Sequence, residues 1–383
     1  MAKFKLKDFA KDISVAIKDA QSSPLKRFVG LEHYDSGEPV ITRFTDTSLI
    51  SSAVKEFKEN DILIARRNVY LRRAGIAFFS GLTSGDSIIL RIYDDCEEKT
   101  GIPKEDAIKI LPFILNSNDF WNYANKHADG MNSKRISKDM LYDYEFDLPS
   151  LTEQRVIADK LWAAYRLKES YKKLLAATDE MVKSRFIEMF GECQRKEKLS
   201  SLCETFIDGD WIESKDQSED GIRLVQTGNV GYGYFKDKED KSRYISEETF
   251  NRLHCTEIFA GDILVSRLPD PIGRACIIPE GIGRMITAVD CSIIRLKDVI
   301  LPEYFISYTM TSTYSAQINE VTTGTTRRRV SRANLGNVLV PCPSLEAQRQ
   351  FVAISQQADK SKFELRESIK SIDKVIKSLI NII

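Results

Sequence analysis

The sequence has no two cysteines at C-x-x-C spacing, although it contains seven cysteines in all. They are odd in number and scattered along the chain, at Cys96, Cys193, Cys203, Cys255, Cys276, Cys291 and Cys342. A disulfide framework or a zinc site requires cysteines in recurring close pairs. We therefore expect buried or incidental thiols.

Long hydrophobic runs are absent as well. The longest, such as residues 110–115, fall far short of the roughly 20 apolar residues that cross a bilayer. Residues 1–20 carry Lys and Asp throughout and lack the apolar stretch of a secretory signal. These absences predict a cytoplasmic protein with no membrane partner.

The residues and motifs of common catalytic centres are scarce. The three histidines, His33, His127 and His254, lie far apart in the sequence and do not suggest a metal cluster. There is no phosphate-binding loop, no H-E-x-x-H and no G-x-S-x-G. The absence of any Pro-Pro pair excludes the Asn/Asp-Pro-Pro-aromatic motif of amino-methyltransferases. We therefore expect a non-catalytic chain with no metal and no cofactor of its own.

An excess of charge of one sign is also missing. The chain has 56 basic and 56 acidic residues, whereas many nucleic-acid binders are basic overall. Any such role must therefore depend on local clusters. With 383 residues, 42% of them hydrophobic, the chain is long enough for two domains of about 150 residues and additional segments.

What the sequence does contain is an internal repeat. Residues 149–155 (PSLTEQR) recur 194 positions later as residues 343–349 (PSLEAQR). The same offset matches residues 130–137 (GMNSKRIS) with 324–331 (GTTRRRVS), and it aligns Ala164, Lys168, Asp179, Lys183 and Ser184 with Ala358, Lys362, Asp373, Lys377 and Ser378. Residues 57–66 resemble 259–267 at a shifted register. Each repeat is therefore a divergent domain followed by a more uniform tail.

Both tails are predicted to be long helices. Ser150 and Glu153 form a capping box after Pro149, and Gly191 is a suitable stop. In the second tail the apolar residues occupy the a and d positions of a heptad repeat, at Leu365, Ile369, Ile372, Ile376, Leu379 and Ile383. A helix over residues 151–190 would extend about 60 Å, which suits a spacer.

Each apolar seam needs a partner, and the other tail is the nearest candidate. We therefore expect the two helices to pair with each other. Lys168 and Arg185 interrupt the first seam and Lys362 the second, which indicates imperfect pairing or additional chains docked there. The alternative is two independent helices, each on the surface of its own domain.

The two globular halves are predicted to contain short strands and turns. Residues 61–65, 87–92, 262–266 and 292–296 are rich in Ile, Leu and Val and are bounded by Gly or Asp. Helical stretches over residues 103–124 and 302–319 follow them. The predicted fold class is α+β, with a small curved or barrel-like sheet in each half.

Two clusters of basic residues are candidates for binding DNA. Arginine can bind phosphate and can read guanine, and threonine can serve either purpose. The first cluster comprises Arg66, Arg67, Tyr70, Arg72 and Arg73, and the second Thr325, Thr326, Arg327, Arg328, Arg329 and Arg332. Each has a counterpart in the other repeat, since Lys134, Arg135 and Lys138 match the second cluster, and Arg267 and Arg274 lie near the match to the first. The alternative is a solvated face or a site for an acidic protein.

The twin helix starts, L-P-S-L-x-x-Q-R with Cys342 in place of Leu148 in the second, resemble those of the specificity subunit of type I restriction-modification systems. The Gly-x-x-x-Lys/Arg-Arg element before each start fits the same family, as do residues 28–33, 57–73 and 84–86. The resemblance covers nearly the whole chain. The second repeat departs from the pattern at Ala347, where the first has Glu153, so one capping contact is lost.

The resemblance implies two target-recognition domains, residues 1–147 and 193–341, held apart by an antiparallel coiled coil of helices over residues 148–192 and 342–383. It implies double-stranded DNA as a partner, with two methyltransferase subunits and motor-nuclease subunits. S-adenosylmethionine is expected in the methyltransferase, which would flip and methylate an adenine. Two different domains at a fixed separation would read two different half-sites, about one helical turn or 34 Å apart.

Two other functions remain open from the residues alone. The chain could be a protein-protein scaffold whose arginine clusters bind acidic partners, and steep salt dependence of duplex binding would distinguish DNA from that alternative. A self-contained nuclease or methyltransferase is disfavoured by the missing motifs.

Overall fold

The computed structural model describes residues 2–131, 133–268, 271–324 and 328–382, which form two compact units. Unit 1 comprises residues 1–172 and 367–383, and unit 2 comprises residues 173–366. Each unit combines short strands with helices, as the predicted α+β class requires.

The strands of unit 1 are two to six residues long: β1 Ala2–Lys5, β2 Ala10–Asp12, β3 Val15–Ile17, β4 Arg27–Val29, β5 Thr45–Asp46, β6 Val54–Phe57, β7 Ile62–Ala65, β8 Ala74–Ile76, β9 Gly81–Ser84, β10 Ser87–Ile92 and β11 Glu145–Leu148. Its shorter helices are α1 Leu6–Phe9, α2 Cys96–Thr100, α3 Lys104–Ile114, α4 Asn118–Lys126 and α5 Lys138–Tyr142. The long helix α6, Leu151–Phe190, begins in unit 1 and ends in unit 2.

The strands of unit 2 are β12 Lys196–Lys198, β13 Cys203–Asp208, β14 Ile222–Val225, β15 Arg243–Ile245, β16 Glu257–Ile258, β17 Ile263–Ser266, β18 Ala275–Ile277, β19 Met285–Thr287, β20 Cys291–Leu296 and β21 Leu339–Pro341. Its shorter helices are α7 Glu247–Leu253, α8 Pro302–Thr309, α9 Ser312–Val321 and α10 Arg332–Gly336. The second long helix is α11, Leu345–Ile380.

Each half contains several small sheets, whereas the sequence predicts one sheet in each. Unit 1 has sheets of order β1-β11, β2-β10-β7-β8 and β3-β6-β9-β4-β5, and unit 2 has β12-β21, β13-β20-β17-β18 and β15-β14-β19-β16. Equivalent ion pairs join β10 to the start of β7 in unit 1 and β20 to the start of β17 in unit 2. Arg91 binds Asp61 through two bonds of 2.6 and 2.7 Å, and Arg295 binds Asp262 through bonds of 2.8 and 3.0 Å.

The predicted strands agree with the structure, but each predicted mid-domain helix is two helices. Ser117 and Thr311 interrupt them, because each side-chain hydroxyl accepts a hydrogen bond from a main-chain N–H three residues later, at Phe120 and Tyr314. A hydroxyl in that position caps the start of a new helix and favours a break there.

The largest hydrophobic cluster of each unit lies between the four-stranded sheet that contains β10 or β20 and the helices packed on it. In unit 1 the core includes Trp121, Phe113 and, from α6, Leu161. In unit 2 it includes Tyr304 and Tyr314, with Phe186 from α6 and Phe351 from α11. Six of the seven free cysteines are buried, and burial raises the pKa of Cys203, Cys276 and Cys291 to about 12.

The long helices begin as the sequence predicts. The Ser150 main-chain N–H donates to the Glu153 carboxylate at 3.0 Å, and the Glu153 N–H donates to the Ser150 hydroxyl at 3.4 Å. At the second start Ala347 keeps only the equivalent N–H bond, to the Ser344 hydroxyl at 3.3 Å. The Gly191 N–H closes α6 by donating to the Ile187 carbonyl.

The lysines that interrupt the predicted seams bind carboxylates across the helices. Within unit 1, the Lys168 ammonium on α6 lies 2.7 Å from Asp373 on α11. Within unit 2, the Lys362 ammonium on α11 lies 2.8 Å from Asp179 on α6. Further along α6 in unit 2, Phe186 packs against Phe351 with ring centroids 5.1 Å apart, so the two helices run in opposite directions there. The predicted seam residue Ile383 lies outside the described residues.

Candidate nucleic-acid interface

The first basic loop, residues 66–73, connects β7 to β8 in unit 1. Its start is fixed by two main-chain bonds, since the Arg66 N–H donates to the Asp86 carbonyl at 3.0 Å and the Arg66 carbonyl accepts from Ile136 at 3.0 Å. Its end is held by the Ala65 N–H, which donates to the Arg73 carbonyl at 2.9 Å. The loop is therefore anchored at both ends to the sheet.

A second segment lies against this loop. Asp129 and Arg135 pair through main-chain bonds of 2.8 and 2.9 Å, and the Asn68 N–H donates to the Lys134 carbonyl at 2.7 Å. The Arg67 Nε donates to the Ser133 hydroxyl at 2.9 Å. Residues 134 and 135 are thus brought beside Arg67, although they are far from it in sequence. Lys138 is exposed in the first turn of α5, which Ser137 caps.

One carboxylate lies among the arginines of unit 1. Asp86 is 3.5 Å from the Arg66 guanidinium, 3.8 Å from that of Arg67 and 3.9 Å from that of Arg135. A single negative charge leaves this group positive. The three arginine side chains remain 39–46% exposed, so they are oriented by Asp86 and still accessible to a ligand.

The remaining candidates of the first cluster differ in their surroundings. Tyr70 is 61% exposed on the turn Val69–Leu71. Asn68 and Arg72 flank that turn with positive φ, at 55° and 51°, a conformation that is unfavourable for arginine and concentrates at functional sites. The Arg72 guanidinium donates to the Asn118 side chain at 2.8 Å. Arg73 is half-buried, donates to the carbonyls of Leu31 and Arg67, and has its pKa lowered by burial.

Unit 2 repeats the main-chain pattern. The Arg267 N–H donates to the Asp290 carbonyl at 2.9 Å, and the Arg267 carbonyl accepts from Val330 at 3.2 Å. The Ser266 N–H donates to the Arg274 carbonyl at 2.8 Å, and Thr323 pairs with Arg329 through two bonds of 2.9 Å. The Thr323–Arg329 pair stands 194 residues after the Asp129–Arg135 pair.

The side chains of unit 2 are arranged differently. The carboxylate here is Asp208 at the end of β13, 3.4 Å from the Arg267 guanidinium and 3.8 Å from that of Arg332. Arg267 is only 14% exposed and also donates to the Val289 carbonyl, whereas Arg332 is 44% exposed.

The other candidates of unit 2 also include both half-buried and exposed residues. Arg274 donates to the Ser266 hydroxyl at 3.1 Å, while Arg328 and Arg329 are exposed, with Arg328 donating to the Asn319 side chain at 3.4 Å. Thr325, Thr326 and Arg327 lie outside the described residues.

Sequence reasoning missed the carboxylates and the small polar residues that orient these arginines. Asp86 belongs to residues 84–86, which contribute to the family resemblance, but the sequence assigns it no role, and Asp208 is not among the sequence candidates. The pairing of Asp208 with Arg267 joins residues 59 positions apart, so no local pattern could have revealed it. Asn68 and Ser133, which orient Arg67, carry no signal beyond being polar turn formers.

Two further findings concern the described part of the chain. In it, no group of three or more His, Cys, Asp or Glu side chains is placed to hold a metal ion. None of its helices is both long and apolar enough to cross a membrane.

The fold and the candidate site thus define a protein of two α+β units, each with arginines anchored to the end of a four-stranded sheet. Residues 195–373, just under half of the chain, match the family described as the type I restriction modification DNA specificity domain. The EcoBI specificity subunit of a type I restriction enzyme, from Escherichia coli, is 22% identical over 292 residues. That alignment covers 67% of this chain and 61% of the relative, so the chain spans less than two thirds of that protein.

Two solved structures have a similar fold. One is a chain from work on complex assembly and conformational transition of the type I R-M system, with 17% identity, a TM-score of 0.58 and coverage of 99% of this chain and 96% of that one. The other is the type I restriction-modification S subunit from M. genitalium, with 14% identity, a TM-score of 0.56 and coverage of 99% and 94%. The family match and the Escherichia coli relative confirm the resemblance to type I restriction-modification specificity subunits that the helix-start motifs predicted. The two solved structures show that the fold is shared.

Proposed function

We propose that this chain is the non-catalytic DNA-recognition subunit of a type I restriction-modification enzyme and that it reads an asymmetric, two-part target. The observation that carries the proposal is the recurrence of one main-chain framework in two divergent units. Arg66 and Arg267 make equivalent bonds to Asp86 and Asp290, and each is joined to a second arginine-bearing segment. Arginines presented from a fixed frame suit contacts with phosphates and base edges.

Residues 1–147 and 193–341 would be the two recognition domains, and their different side chains would select different half-sites. Of the predicted contacts, we favour Arg66, whose side chain is 39% accessible, and the exposed residues Arg67, Tyr70, Lys134, Arg135, Lys138, Arg328, Arg329 and Arg332. Arg73, Arg267 and Arg274 are half-buried and bonded to main-chain or hydroxyl oxygens, so we propose that they support the loops.

The helices over residues 148–192 and 342–383 would form the antiparallel coiled coil that separates the two domains, as products of one internal duplication. Two reciprocal ion pairs, Lys168 with Asp373 and Lys362 with Asp179, support this proposal because they obey the 194-residue offset. Methyltransferase subunits, two in number, and motor-nuclease subunits would assemble on this frame. S-adenosylmethionine would be bound by the methyltransferase, not by this chain.

The test is the salt dependence of duplex binding by the chain assembled with its methyltransferase partner. Each phosphate contact contributes about −0.9 to the slope of log affinity against log salt. We expect a steep slope, together with a preference for target DNA over unrelated DNA of equal length. A shallow slope with no preference would refute the proposal, and tight binding to an acidic protein instead would favour a scaffold.

A further inference from the structure

Glu38 lies on a loop of unit 1 and makes contact with the long helix α6. One carboxylate oxygen is 2.8 Å from the Lys168 ammonium and 2.9 Å from the Lys172 ammonium. Lys168 also binds Asp373 of α11 at 2.7 Å. The side chains of Glu38 and Lys168 are only 16% and 11% exposed. Within unit 1, Glu38 therefore joins a domain loop directly to α6 and, through Lys168, to α11.

The Glu38 segment is also bonded to the end of the first basic loop. The Gly37 N–H donates to the Arg72 carbonyl at 3.0 Å, and Gly37 has a φ of 75°, which turns the chain there. Beyond Glu38, the Pro39 carbonyl accepts from Ile76 at 2.9 Å and the Ile41 N–H donates to the Ile76 carbonyl at 2.8 Å. A displacement of Glu38 would thus be transmitted to Arg72 and β8 by short main-chain bonds.

The equivalent lysine of unit 2 is bonded differently. Lys362 binds Asp179 of α6 at 2.8 Å and Asp359, one turn earlier on α11, at 2.7 Å. Both of these carboxylates lie on the long helices. Asp359 is therefore the second carboxylate partner of Lys362, as Glu38 is of Lys168. Asp359, however, lies on the lysine's own helix and not on a domain loop.

The energetics favour a positioning role over a stabilising one. Removing charges from water costs about as much as their attraction returns, so a buried ion pair contributes little net stability. If Glu38 lost its charge, Lys168 would still have Asp373, and no uncompensated buried charge would result. The loss would change the orientation of the loop more than the stability of the fold.

We propose that Glu38 is a positioning residue that fixes the first basic loop relative to the long helices, so that the gap tolerated between the two half-sites is narrow. The proposal rests on the proposed function, because the basic loop must contact DNA for its position to matter. A displacement of about 1 Å in a positioning element can lower a rate a hundredfold, which makes target spacing a sensitive readout.

The first arm of the test measures hydrogen exchange in the full-length Glu38→Gln variant, in which the side chain keeps its shape and loses its charge. We expect about tenfold faster exchange at the amides of Gly37, Ile41 and Ile76, because these bonds would open more often. The matched control is Asp359→Asn, which removes the corresponding partner of Lys362 and should leave those amides unchanged. Unchanged exchange in Glu38→Gln would overturn the proposal.

The second arm measures methylation by the complex assembled with its partner subunits, on DNA whose gap is one base pair longer or shorter than optimal. We expect the wild type to lose at least about tenfold in rate and the Glu38→Gln variant to lose no more than about threefold, with the same bases preferred in each half-site. Unrelaxed spacing in the variant would also overturn the proposal. A wild-type complex that binds no two-part target would refute the proposed function itself. The hydrogen-exchange arm would still test whether Glu38 positions the loop.

Discussion

At the scale of single residues, the arginines of the candidate interface serve two purposes. Arg67 and Arg328 are exposed, and each makes a hydrogen bond to a neighbouring polar side chain. Arg73 and Arg267 instead donate to main-chain carbonyls inside their own units. Arginine clusters in a sequence therefore mix residues that can reach a ligand with residues that hold the loop in shape.

Substitution of the exposed arginines should weaken target binding without affecting the fold. For Arg67→Ala and Arg328→Ala we expect the affinity of the assembled complex for its target to fall by about tenfold, since one arginine contact contributes about 1–3 kcal/mol. Titration of labelled duplex measures this. Lys3→Ala, which removes one charge from a site 66% exposed, is the control and should change little. Wild-type affinity in both arginine variants would contradict the placement of the DNA contacts.

Substitution of Arg73 should instead destabilise unit 1. Its guanidinium donates to the Leu31 and Arg67 carbonyls, and hydrogen bonds to a charged group contribute about 1.5–3 kcal/mol each before solvent screening is considered. Because the side chain is half-buried, we expect Arg73→Ala to lower the free energy of unfolding by about 1–2 kcal/mol in denaturant titrations. Arg67→Ala, measured in parallel, should stay close to the wild type. Equal stability of the two variants would show that Arg73 does not brace the loop.

The residue types of the site could be predicted from the sequence, but their orientations could not. Local density of arginine and the 194-residue offset identified the segments around Arg66 and Arg329. Which guanidinium faces solvent depends on Asp86, Asp208 and the Leu31 carbonyl, whose contacts are made only after the chain folds. The role of Glu38 was equally hidden, because 130 positions separate it from Lys168.

At the scale of elements, the structure explains why a glutamine recurs near the start of each long helix. Gln154 and Gln348 are both buried, and each side-chain amide donates to the carbonyl of the proline five residues earlier. Gln348 also donates to Val299 and accepts from the Leu301 N–H. The glutamine therefore ties the start of each long helix to the preceding turn, and in unit 2 it also ties the helix to α8.

The two glutamines should differ in their effect on stability. Gln348→Leu leaves the Leu301 N–H and two carbonyls without this partner, and each buried unsatisfied group costs about 1–3 kcal/mol. We expect the free energy of unfolding to fall by about 2–4 kcal/mol, against about 1 kcal/mol for Gln154→Leu, where only the Pro149 carbonyl is affected. Thermal or denaturant unfolding of both variants measures the difference. Equal losses of unfolding free energy in the two variants would show that the additional hydrogen bonds of Gln348 do not stabilise the fold.

Helix and strand positions were largely predictable, since capping residues and apolar periodicity are local signals. The sequence correctly predicted α6 from Leu151 to Phe190 and the strand Ser87–Ile92. It missed the breaks at Ser117 and Thr311, although each is a hydroxyl residue of the kind that caps a helix start. It also treated Lys168 and Lys362 as imperfections of the seams, since their carboxylate partners on the opposite helix are visible only in three dimensions.

At the scale of the whole molecule, the proposed coiled coil would act as a ruler between the two recognition domains. Insertion of four residues after Lys173 and after Glu367, positions 194 apart, adds about one turn, or 6 Å, to each helix. We expect the preferred gap between half-sites to lengthen by about two base pairs, since base pairs are spaced about 3.4 Å apart. Methylation rates on DNA with varied gaps measure this change. An unchanged optimum would contradict the ruler.

The central claim is that this chain selects a two-part DNA target through two different domains. Methylome sequencing of the host, with and without the gene for this chain, tests it most directly. We predict one methylated motif made of two unlike specific parts around a fixed, unspecified gap, present with the gene and lost from every site without it. An unchanged methylome, or loss of a single continuous motif, would contradict the account.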